Sequence, residues 1–366
     1  FNINNYNISY VNGTLSKTKK LLTISGLSAS NKIYDASNDA TISNYGTLNG
    51  ILFSDVVSLD TGSLGADPAN FNNKNVGSGK TVTLSLNNGN LTGAAAGNYR
   101  INNGTTTADI TAKPITISGI NANHKVYNRL TTASVDVSGA GGWIVGDDVT
   151  VATTGLFSDK NVGSGKTVTL TSSYGGVDKN NYTITDQGST TAAITEKSIT
   201  ISGITASNKI YDQTTVVGVD SSGASGWITG DDVTVNATGS FTDKNKGTGK
   251  TVNLSSSYGG ADKDNYTITN QSTTTANITA KPITISGLTA DDKIYNSLTD
   301  VIVNVSGAVG WITGDDVTVT TTGVFTDKNV AAGKTVNLSS SYGGVDKDNI
   351  SCDILDILKN CNLPNL

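Results

Sequence analysis

The sequence predicts an all-β protein built from tandem repeats, and three observations carry that reading. The composition is the first. Of 366 residues 41 are glycine, aromatics make up 6% and charged residues 15%, and Thr, Ser, Asn, Val and Ile dominate the rest. β-Branched side chains suit pleated strands, and Gly, Asn and Asp suit tight turns. The second is an apolar period of two: Ile199 and Ile201, Val233 and Val235, Val252 and Leu254, and Tyr266 and Ile268 each flank a polar residue. That is the pattern of a half-buried strand. The third is self-similarity, since Trp143, Trp227 and Trp311 stand 84 residues apart, as do Tyr127, Tyr211 and Tyr295, and Phe157, Phe241 and Phe325.

Each unit runs through the same signposts. ITISG[IL] opens it and a Lys-[Ile/Val]-Tyr tripeptide follows. Then come Gly-Trp-Ile-x-Gly-Asp-Asp-Val, Phe-[Ser/Thr]-Asp-Lys-Asn, Gly-Lys-Thr-Val, Ser-Tyr-Gly-Gly and Asp-Lys-x-Asn. The expected division is 1–20, the end of a preceding repeat; 21–112, a diverged repeat without the tryptophan; 113–196, 197–280 and 281–350, three close copies; and 351–366, a non-repeated C-terminal segment. Phe1 begins in mid-pattern, so the chain is expected to be part of something longer. Short strands separated by Ser-Gly, Gly-Asp-Asp and Tyr-Gly-Gly turns suit an antiparallel sandwich. Asp178 and Asp262, each four residues before Tyr182 or Tyr266, resemble a tyrosine corner and favour an immunoglobulin-like unit. A β-grasp-like unit stays open, because spacing does not order strands.

A net charge of −5 argues against nucleic acid as a partner. Catalysis has little to draw on: His124 is the sole histidine, and no metal-spaced cluster or phosphate loop occurs. The chain is expected not to be an enzyme and to need no cofactor. Four groups carry alternative readings. Asp147-Asp148, Asp231-Asp232 and Asp315-Asp316, with Asp178 or Asp262, offer oxygen ligands for Ca²⁺ or else solvated turns. Lys166, Lys250 and Lys334 are crosslinking residues or exposed turn lysines. Trp143, Trp227 and Trp311 form a ligand platform or, more in keeping with one tryptophan per small sandwich, anchor the core. Asn181, Asn236, Asn253, Asn265, Asn277 and Asn304 head glycosylation sequons.

The recurring Lys-[Ile/Val]-Tyr-[Asp/Asn], Gly-Asp-Asp-Val, Phe-x-Asp-Lys-Asn and Asn-Tyr-Thr-Ile-Thr motifs resemble the YDG repeats of large secreted bacterial adhesins. Those adhesins are of the filamentous-haemagglutinin, two-partner-secretion kind. The resemblance covers roughly residues 21–350. Ala36, Arg129, Gln213 and Ser297 stand where the motif has glycine, so the turn there is expected to differ. The resemblance implies an elongated extracellular stalk at the bacterial surface. An outer-membrane two-partner transporter would be its partner, and upstream regions would contact host or neighbouring cells. It also implies a role for Cys352 and Cys361, because some such adhesins end in two cysteines whose disulfide loop lodges in the transporter. The loop would carry Ile354, Leu355, Ile357 and Leu358. The alternative is a local staple. The fourth unit lacks the usual closing strand, which leaves its sheet edge unpaired.

Overall fold

In the computed structural model the described residues are 9, 11–65 and 68–352. They are all-β, interrupted by short 3-10 turns. Two compact units are present. The first comprises Phe1–Lys125, Thr131–Asp159 and Ser164–Ala193, and the second comprises Val126–Leu130, Lys160–Gly163 and Ile194–Leu366.

The third repeat, wholly inside the second unit, shows the module most fully. Its strands are β1 (Lys197–Thr200), β2 (Thr205–Ala206), β3 (Lys209–Ile210), β4 (Val216–Val217), β5 (Val219–Asp220), β6 (Thr234–Phe241), β7 (Gly247–Gly259), β8 (Tyr266–Thr269) and β9 (Thr273–Thr279). β3, β9, β7, β6 and β4 form one five-stranded sheet in that order. The long hairpin β6–β7 is its spine, in register from Thr234 opposite Gly259 to Phe241 opposite Val252. Its turn follows from the Asp-Lys-Asn motif, in which the Asp243 carboxylate accepts the Asn245 N–H at 2.8 Å. Such an Asx turn offers the backbone an early bond. Alternate residues of the sheet point one way, and Tyr211, Val217, Phe241, Val252, Ala276 and Ile278 form a buried cluster. Gly239 lies on that face because a Cβ there would sit 2.7 Å from Val219 and 2.9 Å from Val252.

The remaining strands form two-stranded ladders, β1 with β8 and β2 with β5. Ile199, Ile201, Ile204, Val233 and Tyr266 are buried on this side. β1 runs parallel to β8, with Lys197 opposite Tyr266, and β3 runs parallel to β9, with Lys209 opposite Ile278. The all-β tandem architecture is as expected, but an antiparallel sandwich understates it, since two ladders of this module are parallel. The reason is topological: parallel neighbours need long crossovers, and these pairs lie about 70 residues apart, beyond the reach of a local apolar pattern.

In the first unit the first repeat forms the corresponding sheet from Lys32–Ile33, Gly104–Thr111, Gly77–Leu84 and Ala69–Phe71. The long hairpin recurs 84 positions earlier as Thr150–Phe157 with Gly163–Gly175. In the second unit the fourth repeat keeps the hairpin, Thr318–Phe325 with Val336–Gly343, but its sheet has three strands, since nothing among the described residues takes the place of β9 or β3.

The turn after Lys-[Ile/Val]-Tyr does not differ from one built for glycine. Ala36, Arg129, Gln213 and Ser297 all adopt a left-handed backbone, φ 65° to 67°. A Cβ in that region costs roughly 1–2 kcal/mol. Ala36→Gly should therefore raise the stability of the first repeat, by up to about 1 kcal/mol once the greater freedom of unfolded glycine is deducted. Denaturant titration checks this, and no gain would show the turn to be unstrained.

Candidate functional site

No catalytic cleft gathers the motif residues. Instead, the four motifs meet wherever one repeat follows another. The Lys-[Ile/Val]-Tyr and Asp-Lys-Asn residues of one repeat reach the Gly-Asp-Asp and Asp-Lys-x-Asn residues of the next, and each such junction lies within a single compact unit.

In the first unit, Asp147 is the centre. One of its oxygens, Oδ2, accepts from the Tyr34 hydroxyl at 2.9 Å and from the Tyr182 hydroxyl. Its other oxygen accepts from Lys74 Nζ at 2.9 Å, and the same ammonium lies 3.3 Å from Asp178. Tyr34 and Tyr182 pack edge to face with centroids 5.4 Å apart. Beside them the Val76 N–H donates to Asn181 Oδ1 at 2.9 Å, and Asn181 Nδ2 donates to Asn75 at 3.2 Å and Asp178 at 3.3 Å.

The second unit repeats the arrangement at Asp231. Tyr127 (2.9 Å) and Tyr266 donate to Oδ2. Arg129 Nε approaches Oδ1 at 2.8 Å, and Lys160 pairs with Asp262 at 2.7 Å. Val162 N–H donates to Asn265 at 2.8 Å. The Asp231 side chain is fully buried. Two carboxylates here face two cations, which compensates the buried charge better than the single Lys74 does at Asp147 and Asp178. The strained turn thus has a use: Arg129 also donates to the carbonyl of Thr229 at 2.6 Å, a contact that glycine could not make.

The same unit holds a third junction, which is incomplete. Tyr211 and Gln213 donate to Asp315 Oδ1 at 2.6 and 2.7 Å, Lys244 pairs with Asp346 at 3.1 Å, and Lys246 N–H donates to Asn349 at 2.7 Å. But Ile350 stands where Tyr182 and Tyr266 stand in the other repeats, and the buried Asp315 Oδ2 has no hydrogen-bond partner. An unsatisfied buried acceptor costs about 1–3 kcal/mol. Ile350→Tyr should recover about 1–2 kcal/mol of that, read as slower exchange of the Lys246 amide. Unchanged exchange would mean that water already serves Asp315.

The electrostatics set a pH window. Burial raises the Asp147 carboxyl, but bonds from Tyr182, Lys74 and Tyr34 outweigh it, and the net shift is downward. Lys160 holds Asp262 down, and the Asp316 N–H does the same for Asp346. Burial and then the bond to Asp147 push Tyr182 up to about 12, and burial with Asp315 does the same for Tyr211. Lowered carboxyls stabilise the fold above their unfolded pKa, about 4, and that stability is lost as pH falls through the folded values. Raised tyrosines contribute below their unfolded pKa of about 10, and that is lost as pH rises through about 12. The junctions should therefore hold between about pH 4 and 10 and loosen outside it. A melting temperature that stays flat from pH 7 down to 2 would contradict this.

The first aspartate of each Gly-Asp-Asp turn is the junction centre: phenol and ammonium meet Asp147, phenol and guanidinium meet Asp231, and phenol and the Gln213 amide meet one oxygen of Asp315. Among the described residues no group of three His, Cys, Asp or Glu is arranged for a metal. Lys166, Lys250 and Lys334 each pair with an aspartate in the hairpin turn, Asp159, Asp243 and Asp327. His124 accepts the Ala193 N–H at 2.8 Å, the place that Asn208 fills for Asn277. Trp143, Trp227 and Trp311 are half-buried, and Trp311 packs on Ile283, Ile285, Val317 and Ile350. Asn181 and Asn265 are buried in junctions, unlike the exposed Asn236, Asn253 and Asn304, so those two sequons are closed to glycosylation in the folded chain. Tyr182 and Tyr266 are not tyrosine corners, because their hydroxyls bond Asp147 and Asp231 and accept Ile144 and Ile228 N–H groups, far upstream. Cys352 lies on the strand Ile350–Cys352, and Cys361, Ile354, Leu355, Ile357 and Leu358 lie outside the described residues.

Sequence comparison agrees with the motifs, the YDG domain matching residues 18–108, 111–192, 195–276 and 279–351. The chain belongs to the YDG-domain family. Comparison with curated proteins finds no match. Among solved structures, Drosophila N-cadherin EC1-4 aligns at 7% identity over 92% of this chain and 93% of that one, with a TM-score of 0.20. Drosophila N-cadherin EC1-3 aligns at 6% identity over 74% and 91%, with a TM-score of 0.18. In the first three repeats the YDG tyrosine thus sits in its own repeat's core and bonds the next repeat's aspartate.

Proposed function

We propose that these YDG repeats are a structural stalk of a secreted bacterial surface adhesin, without enzymatic activity, and that the C-terminal segment holds it at the outer membrane. The observation that supports the stalk is the junction: the motif residues are spent on joining repeat to repeat. Tyr34, Tyr127 and Tyr211 are each 1% exposed, with their hydroxyls on the following repeat's aspartate. A buried, charge-assisted contact at each joint resists bending and pulling better than a solvated linker does. The family resemblance supports the adhesin setting and the two-partner transporter, and Cys352 and Cys361 support the anchor.

Two experiments test this reading. The 366-residue chain is exposed to glycan and matrix-protein arrays, where a stalk gives no specific signal. Binding abolished by Trp227→Ala would favour a ligand platform instead. In cells making the whole adhesin, serine at both Cys352 and Cys361 should release folded protein to the medium, and unchanged retention would remove the anchor from the proposal.

A further inference from the structure

The fourth repeat carries an open groove that the other repeats fill. A cavity of about 660 Å³ is lined by Lys293, Ile294, Tyr295, Phe325 and Lys334, among others. Tyr295 is 55% exposed and Phe325 half-buried, whereas their counterparts Tyr211 and Phe241 are 1% and 2% exposed. The difference is β9. In the third repeat β9 lies between β3 and β7, with Ala276 opposite Lys250 and Ile278 opposite both Gly247 and Lys209. Ala276 and Ile278 complete the cluster around Tyr211 and Phe241.

The chemistry of the occupant can be read from the repeats that have one. Each closing strand presents alanine, a middle residue and isoleucine: Ala108-Asp109-Ile110, Ala192-Ala193-Ile194 and Ala276-Asn277-Ile278. The alanines and isoleucines are buried. In two of the three strands the middle side chain caps the turn opposite, Asp109 accepting from Gly79 N–H and Asn277 from Gly249 N–H, both at 2.7 Å. The middle N–H donates to Asn31 or Asn208. The last strand residue supplies a carbonyl, as Thr279 does to Tyr211 N–H at 2.9 Å. The groove therefore selects an extended segment of the form small, Asn or Asp, branched apolar.

We propose that the groove is a strand-acceptor site and that its occupant is the chain's own Cys361-Asn362-Leu363, entering as the missing β9. Cys361 takes the alanine place, Leu363 the isoleucine place, and Asn362 can cap Gly333 as Asn277 caps Gly249. Pro364 keeps the carbonyl that the equivalent of Tyr211 N–H requires. The match needs one residue more in the preceding connection than the third repeat uses, a small change in loop entropy. Backbone pairing along an exposed edge with alternate side chains in pockets is a general mode of peptide capture.

Seating this strand and bonding Cys361 to Cys352 exclude each other. Cys352 and Tyr342 pack against the same buried cluster of Ile283, Ile285, Val317 and Ile350. Tyr342 corresponds to Tyr258, eight residues along β7 from Lys250, the partner of Ala276. At roughly 3.3 Å per residue that separation is about 26 Å, whereas a disulfide needs Cα atoms within about 7 Å. Oxidation of the two thiols to the disulfide, with a thiol–disulfide oxidant accepting two electrons and two protons, would empty the groove.

The test uses the full chain and site-resolved thiol labelling under reducing conditions. With the strand seated, Cys361 should label at least about tenfold more slowly than in Leu363→Asp, with Cys352 unchanged between the two. Equal Cys361 rates would overturn the proposal. A synthetic peptide of residues 272–280 provides the second arm. It should bind Leu363→Asp, and the oxidised chain, at least about tenfold more tightly than the reduced wild type. Equal binding to reduced wild type would mean that the groove serves an external strand, and binding to none of the three that it accepts no strand. These readouts are independent of cell retention, so the anchor and the strand site can fail separately.

Discussion

Replacing Asp231 by alanine is expected to cost about 3–5 kcal/mol, the range for removing one partner of a buried ion pair. Its side chain is fully buried, and its loss strands Arg129 and the hydroxyls of Tyr127 and Tyr266, with Lys160 left on Asp262 alone. The equivalent change at Asp315 should cost less, roughly 1–2 kcal/mol, because Asp315 lacks the second tyrosine and its Oδ2 meets neither a donor nor a cation, whereas Asp231 Oδ1, also without a hydrogen bond, has the Arg129 ion pair. Hydrogen exchange at Val162 and Lys246, whose amides bond Asn265 and Asn349 beside these carboxylates, reads each junction separately. Exchange at Val162 within about 0.5 kcal/mol of wild type after Asp231→Ala would show that the buried ion pair contributes nothing net, as some buried pairs do. The stalk proposal would then lose its main support.

The second large effect concerns one motif residue in two settings. Phe241→Ala should destabilise the third repeat by about 3–5 kcal/mol, since the ring is 2% exposed and packed on all sides by Tyr211, Val252, Ala276 and Ile278. Phe325→Ala in the fourth repeat should cost less than half of that if its groove stays empty, because the ring is only half-buried there. Denaturation of each single variant decides it. Equal and large costs would indicate that the Phe325 site is filled in solution, which would agree with a seated Cys361-Asn362-Leu363.

Much of the module was legible before any coordinates. Period-two alternation located the long hairpin, because residues such as Val252 and Phe241 point to one face of a sheet whatever its neighbours are. The 84-residue identity of tryptophan, tyrosine and phenylalanine located the repeats. The junction was not legible, because Tyr127 and Asp231 are 104 residues apart and belong to different copies of the motif. Within one copy, Gly-Asp-Asp reads as a solvated turn or a cation site, and only the docking of a lysine or arginine from the preceding copy explains why its first aspartate is buried. A signal was present in hindsight: Lys74, Lys160 and Lys244 recur as faithfully as the core aromatics, which a solvated lysine has no reason to do.

Sequence by itself determined the all-β class, the tandem copies, the turn motifs and the departure of the fourth copy's closing segment from the pattern of the others. These follow from local rules: side-chain alternation, glycine and Asx turns, and direct comparison of one copy with another. Tertiary structure alone decided that β1 with β8 and β3 with β9 are parallel, that Arg129 and Gln213 reach the next repeat from a strained turn, and that the recurring acidic turns are joints. Each of these depends on which distant segments come together, and the free energy of that choice resides in burial and charge pairing between residues about 70 to 105 positions apart.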